Sequence, residues 1–193
     1  MKFNRELLLV FLLGIFFGIV LGVEVVHLAE RGVCPRTYCI DRSSIVPITD
    51  RGYFQAVHEA FQRAEKSIHI AAFEIKYYTK YPESNENILI NDLIDAHNRG
   101  VDVKIIMDEY SKENSAFDYL RENGVPVKYD GKDVTTHAKL IIIDGKIVIL
   151  GSTNLSYYGL ERNREVDVII LAEHIADYFE GYFQEMWEKI DIL

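Results

Sequence analysis

Two short stretches of the chain carry side chains suited to chemistry at phosphorus. His137 and Lys139 stand two residues apart at the head of the apolar run Leu140–Ile143. Residues two apart on a strand point to the same face. The run that follows is apolar on both faces, so this strand enters a core. Asp144-Gly145 reads as a hairpin turn. Ile147–Leu150 then returns to the level where the first strand began. There Gly151 gives room, and Ser152 and Asn154 again share a face. One sheet edge thus receives an imidazole, an ammonium, a hydroxyl and an amide.

That set suits a phosphodiester, which carries one negative charge and hydrolyses slowly. A nucleophilic imidazole can divide the reaction into two displacements through a phosphohistidine. Lys139 can neutralise the non-bridging oxygens, and Ser152 and Asn154 can donate hydrogen bonds where charge builds. Glu165, placed with the next strand, can hold the imidazole's other nitrogen and stabilise its cation. Asp167 shares that strand face and is the plainer alternative for a surface carboxylate. Asp144 needs only a turn role, and Gly151 only a packing one. Asp108 and Glu109, ending a strand, read as solvated carboxylates rather than metal ligands. The remaining histidines, His27, His58, His69, His97 and His174, read as structural. Tyr77, Tyr78, Tyr81, Tyr157 and Tyr158 can stack on bases, line an acyl groove or cap the core.

The pattern His-x-Lys-x4-Asp-x6-Gly-Ser-x-Asn, formed by His137, Lys139, Asp144, Gly151, Ser152 and Asn154, resembles the HKD signature of the phospholipase D superfamily. Asn163-Arg164-Glu165 resembles that family's downstream Asn-x-Glu. The order of elements over residues 44–192 is similar to its small single-motif nucleases. The resemblance implies a metal-independent hydrolase that uses no cofactor. One histidine attacks phosphorus, and the histidine of a second motif protonates the leaving oxygen. This chain holds one motif, because no other histidine is followed two positions later by lysine. A symmetric homodimer with two facing copies of His137 is therefore implied. The substrate implied first is DNA or RNA. A membrane phospholipid is the alternative, and a non-catalytic scaffold the remote one.

The elements that must position these groups alternate. Strands are expected at Ser44–Ile48, Ser67–Phe73, Val101–Met107, Val125–Tyr129, His137–Ile143, Ile147–Leu150 and Val166–Leu171. Helices are expected at Gly52–Ala64, Asn87–Asn98, Ser115–Asn123 and His174–Ile190. The last helix carries an apolar stripe of Ile175, Tyr178, Phe179, Tyr182, Phe183, Met186, Trp187 and Ile190. It reads as packed on a sheet rather than on a membrane surface. The order predicts an α/β fold with a mixed, largely buried sheet and helices on both faces.

Ahead of this domain, Leu7–Val23 is an uncharged apolar run of about the minimum length for a membrane helix. An uncleaved anchor over residues 1–28, a juxtamembrane linker over 29–43 and a catalytic domain over 44–193 follow from it. A cleaved signal peptide is the competing reading. Lys2 and Arg5 favour a cytoplasmic N-terminus and a catalytic domain on the extracytoplasmic side. Gly14, Gly18 and Gly22 form a small-residue stripe that lets two such helices approach. Cys34 and Cys39, the only cysteines, suit a local disulfide outside the cytoplasm. The net charge is −9, and residues 166–193 alone contribute −6. Residues 131–165 sum to +1, so any affinity for a polyanion must be local or built from a concave dimer surface.

Overall fold

In the computed structural model, residues 15–16, 44–110, 112–113 and 115–190 are described. The expected anchor over 7–23, the glycine stripe, and Cys34 and Cys39 lie outside them, apart from Ile15 and Phe16. Among the described residues, no helix is long and apolar enough to cross a membrane.

Seven strands form one sheet. They are β1 (Ile45–Thr49), β2 (Ser67–Ala72), β3 (Asp102–Met107), β4 (Val127–Tyr129), β5 (Lys139–Ile143), β6 (Ile147–Gly151) and β7 (Val166–Leu171). Their spatial order is β1-β7-β6-β5-β2-β3-β4. β2, β3 and β4 run parallel, joined through α2 (Asn85–Asn98) and α3 (Phe117–Glu122), while every other pairing is antiparallel. This is the mixed sheet that the alternating elements predict.

Both sheet faces are covered. Ile68, Ile70, Ile105, Ile141 and Ile149 lie in one cluster with Val57 and Phe61 of α1 (Gly52–Arg63) and Leu89, Ile90 and Leu93 of α2. The alternate residues Ala71, Ile106, Leu140, Ile142 and Val148 meet Ala176 and Phe183 of α4 (Glu173–Ile190). A strand buried on both faces must be apolar throughout, which is why β5 reads as an unbroken run. Fully burying Phe183 contributes roughly 2–3 kcal/mol. The apolar stripe of α4 does face the sheet, with one correction: Tyr178 and Tyr182 remain exposed. They sit at the margin of the stripe, where the phenol hydroxyl keeps access to water.

Two further corrections concern element starts. β5 begins at Lys139, leaving His137 just outside the ladder. α3 begins at Phe117 rather than Ser115, because Ser115 forms a bridge with Lys76 and its Oγ accepts the Phe117 N–H at 3.2 Å.

The β5–β6 register sets the level of the site. Leu140 pairs with Leu150 and Ile143 with Ile147, so Lys139 and Gly151 stand at the same edge. At the opposite end, Asp144 and Gly145 turn the chain with φ of 56° and 64°. The Asp144 carboxylate accepts the backbone N–H groups of Glu65, Lys66 and Ser67 at 3.1, 2.7 and 3.0 Å. It therefore ties the hairpin to the loop between α1 and β2, a full strand length (about 16 Å) from His137. Its motif position is structural. Asp144→Ala should lower stability by about 1–3 kcal/mol, through three unpaired N–H groups and a left-handed alanine. Urea denaturation should show the loss, with activity per folded molecule retained.

Candidate active site

One end of the sheet collects the C-terminal ends of β2, β3 and β6 and the N-terminal ends of β5 and β7. His137 is exposed there. Its ring packs against Phe73, with centroids 4.8 Å apart at 48°. Lys139 places its Nζ 3.4 Å from each ring nitrogen and 2.9 Å from the His137 carbonyl oxygen, over the Phe73 ring. Burial holds the Lys139 ammonium below the usual lysine range, while the carboxylates of Glu74 and Glu165 pull it back up. Imidazole and ammonium are thus presented together at an open edge.

Buried acids hold the loop that delivers His137. Thr136 donates its N–H to Asp108 Oδ2 at 3.1 Å and to Asp130 Oδ2 at 2.7 Å. Asp108 is wholly buried and also accepts the Tyr110 N–H at 2.9 Å. This corrects the expectation of a solvated carboxylate: no ladder partner exists for these amides, so acids supply one. It also explains why His137 lies outside the strand.

The second half of the motif is held by close approach. A Cβ on Gly151 would come within 2.2 Å of Asp167 Oδ1 and 2.5 Å of the Val166 oxygen. Only glycine lets β6 meet β7 here. Asp167 is buried and accepts the Thr153 N–H at 3.1 Å and the Thr153 hydroxyl at 2.6 Å. Burial raises its pKa, and the Thr153 hydrogen bonds partly offset that. It is not the surface carboxylate that its strand position suggests.

Ser152 gives its hydroxyl proton to Glu165 Oε2 and accepts the Val166 N–H at 3.1 Å. Glu165, buried just before β7, also accepts from Asn163 Nδ2 at 2.9 Å. Its hydrogen bonds among the described residues go to Ser152 and Asn163, not to His137. The Asn154 Oδ1 is buried and has no hydrogen-bond partner among the described residues. Beyond Asn154 a wide helical turn, Tyr158–Arg162, approaches so closely that a Cβ on Gly159 would lie 2.2 Å from the Asn154 carbonyl oxygen. Arg51 clamps this turn by donating to the carbonyl oxygens of Leu160 at 3.0 Å and Asn163 at 3.2 Å. No sequence signal marks Arg51, since its partners lie more than a hundred residues away.

The other basic residues of segment 131–165 divide. Lys132 leads into the His137 loop, and Arg162 and Arg164 precede Glu165, all three exposed. Lys146 lies in the β5–β6 turn at the far end of the sheet and cannot serve the site. Among the described residues, no cluster of three or more His, Cys, Asp or Glu side chains is placed to hold a metal. A cleft of about 1240 Å³ opens beside the edge, lined by Glu74, Tyr78, Tyr157, Tyr158 and neighbours.

The sheet order and the paired motif strands define a phospholipase D-like domain. The family described as "Cardiolipin synthase, PLD-like domain" matches residues 57–187, and the chain belongs to it. Mitochondrial cardiolipin hydrolase of Xenopus tropicalis is 28% identical over 131 residues, covering 67% of this chain and 58% of that protein. Phospholipase D of Rickettsia typhi is 29% identical over 135 residues, covering 68% and 62%. The chain thus spans about three-fifths of the length of these two relatives. The crystal structure of Nuc from Salmonella typhimurium, a phospholipase D family member, superposes with a TM-score of 0.64 at 25% identity, covering 75% of this chain and 95% of Nuc.

Glu74→Gln removes a charge that raises the Lys139 pKa. Activity dependent on the Lys139 ammonium should then be lost at lower pH than in the parent protein, with the acidic side unchanged. A pH–rate profile measures the displacement.

Proposed function

We propose that this chain hydrolyses phosphodiesters through a phosphohistidine on His137, as a homodimer that joins two copies of the edge. The observation that carries this reading is His137 itself, exposed beside Lys139 in a chain with one motif. In the first step an imidazole nitrogen of His137 bonds to phosphorus and the bond to the leaving oxygen breaks. The partner subunit's His137 protonates that oxygen. In the second step the same partner imidazole takes a proton from water, the water oxygen attacks phosphorus, and the P–N bond breaks. Lys139 balances charge on the non-bridging oxygens, with Asn154 beside it. No metal or cofactor takes part in this scheme.

The substrate reading that we favour is a membrane phospholipid. The cleft beside the edge is lined by five glutamates against three basic residues, so it repels a long polyanion. Tyrosines supply its rim. The two relatives compared above are named for cardiolipin and phospholipid hydrolysis. In this reading residues 7–23 anchor the chain and hold the site near lipid, on the extracytoplasmic side. A nucleic acid is the second reading, favoured by Lys132, Arg162 and Arg164 at the same edge.

The test uses the full chain in mixed micelles with EDTA, offered phospholipid vesicles and single-stranded DNA in parallel. Head-group release is expected, and His137→Asn should reduce it on the order of a thousandfold or more. Release of nucleotides without head group would reverse the substrate assignment, and a strict divalent-metal requirement would overturn the scheme. Mixing parent and His137→Asn chains tests the dimer: activity should fall with the square of the parent fraction, and a linear fall would reject a shared site.

A further inference from the structure

Glu86 is an unusual buried acid. It is 1% exposed, yet among the described residues neither carboxylate oxygen has a hydrogen-bond partner. The other buried acids described above, Asp108, Asp167 and Glu165, are each satisfied. A buried carboxylate left without donors costs several kcal/mol in general, so such a group is retained where something donates to it. Glu86 lies in the first turn of α2 and lines the cleft beside the catalytic edge. Ser84, just before α2, lines the same cleft. Its hydroxyl makes no cap hydrogen bond and is also unpartnered among the described residues. Asn87 ties the preceding loop to α2 by taking the Tyr78 N–H at 2.9 Å and donating to the carbonyl oxygens of Tyr78 and Tyr81. Three buried oxygen atoms on residues that line the cleft therefore have no donor among the described residues.

The rest of the cleft suits a cation. Tyr157 and Tyr158 are exposed at its rim, edge to face with centroids 5.7 Å apart. Aromatic faces attract ammonium groups. The Tyr78 phenol has its pKa raised, first by burial and further by the carboxylates of Glu86 and Glu74, against a lowering by the Tyr157 backbone. The cleft wall is tied to the motif. The Leu155 N–H donates to the Glu74 carbonyl oxygen at 3.1 Å and the Lys76 N–H to the Leu155 carbonyl oxygen at 2.9 Å, so two lining residues bond to the residue that follows Asn154.

We propose that this cleft holds the alcohol portion of the diester and selects an alcohol bearing a primary ammonium, received by the two Glu86 oxygens and Ser84 Oγ. Three N–H donors match three unpartnered acceptors. A quaternary ammonium has no N–H to give, and a neutral polyol brings no charge. The inference rests on the phospholipid reading and refines it to an aminoalcohol head group.

Two measurements test it. In the first, the full chain in mixed micelles hydrolyses phosphatidylethanolamine, phosphatidylcholine and phosphatidylglycerol. The kcat/KM for the ethanolamine lipid should exceed that for the glycerol lipid at least about ten-fold, and Glu86→Gln should collapse the ratio by a similar factor. A parent ratio near one, or an unchanged ratio in Glu86→Gln, overturns the proposal. Water filling the cleft would give the same null ratio, because it satisfies the oxygens without discriminating between head groups. Should Glu86→Gln fail to fold, Tyr158→Ala on the exposed rim must lower the ratio in its place. In the second, glycerophosphoethanolamine is titrated calorimetrically into His137→Asn protein with and without Glu86→Gln. Binding that depends on Glu86, together with a parent protein that cleaves no lipid, would retain the cleft and reject the phospholipid reading. Lipid cleavage without head-group preference would do the reverse.

Discussion

Every turn at the ends of a sheet leaves amide groups that the ladder cannot pair, and the placement of this site follows from how those groups are satisfied. Buried or half-buried acids do most of it. Asp108 and Asp130 hold the loop before β5, Asp167 holds the turn after β6, and Asp144 holds the hairpin at the other end. Each acid fixes a backbone segment and leaves its neighbour free for chemistry. Thr136 is bound so that His137 can be exposed. Thr153 is bound between Ser152 and Asn154, which face the edge. A site built on such loops needs this rigidity, because positioning errors of an ångström cost large factors in rate.

The acids also explain which parts of the molecule the sequence reveals. Strands and helices are legible because burial on a regular element imposes a period, and Leu140–Ile143 or the α4 stripe carries that period in full. The hairpin register is legible because Asp144-Gly145 fixes it locally, so the meeting of Lys139 with Ser152 and Asn154 follows from short-range rules. Asp108 is illegible for the opposite reason. A carboxylate at a strand end looks the same whether it is solvated or buried, and its partner Thr136 is 28 residues away. Arg51 and Glu86 share this difficulty: one acts across more than a hundred residues, the other by what it lacks. Lys146 shows the converse, since proximity in sequence to the motif does not place a residue at the site.

Charge is distributed with the same economy. The chain is acidic, yet the reacting diester is an anion, so the edge must be locally cationic. Lys139 provides this with its ammonium partly buried, which weakens solvent screening and strengthens its effect on a bound phosphate. Glu74 and Glu165 favour the charged form of that ammonium. Acids near an anion site therefore need not oppose binding. Here they maintain the cation that binds it, and the remaining glutamates line the cleft beyond.

The arrangement around His137 bears on the proposed homodimer. A general base or nucleophilic imidazole is usually oriented by a carboxylate or carbonyl on its other nitrogen. Within one chain His137 has the Phe73 ring and the Lys139 ammonium, neither of which accepts a proton from it. Glu165, the natural candidate, is already taken by Ser152 and Asn163. In the proposed scheme His137 therefore has, among the described residues of its own chain, neither an acid for the leaving group nor an orienting acceptor. A two-fold axis beside the edge would answer both needs with residues already present. It would also set two clefts side by side and close the exposed imidazole from bulk water, which a phosphohistidine requires if hydrolysis is to occur only after the alcohol has left.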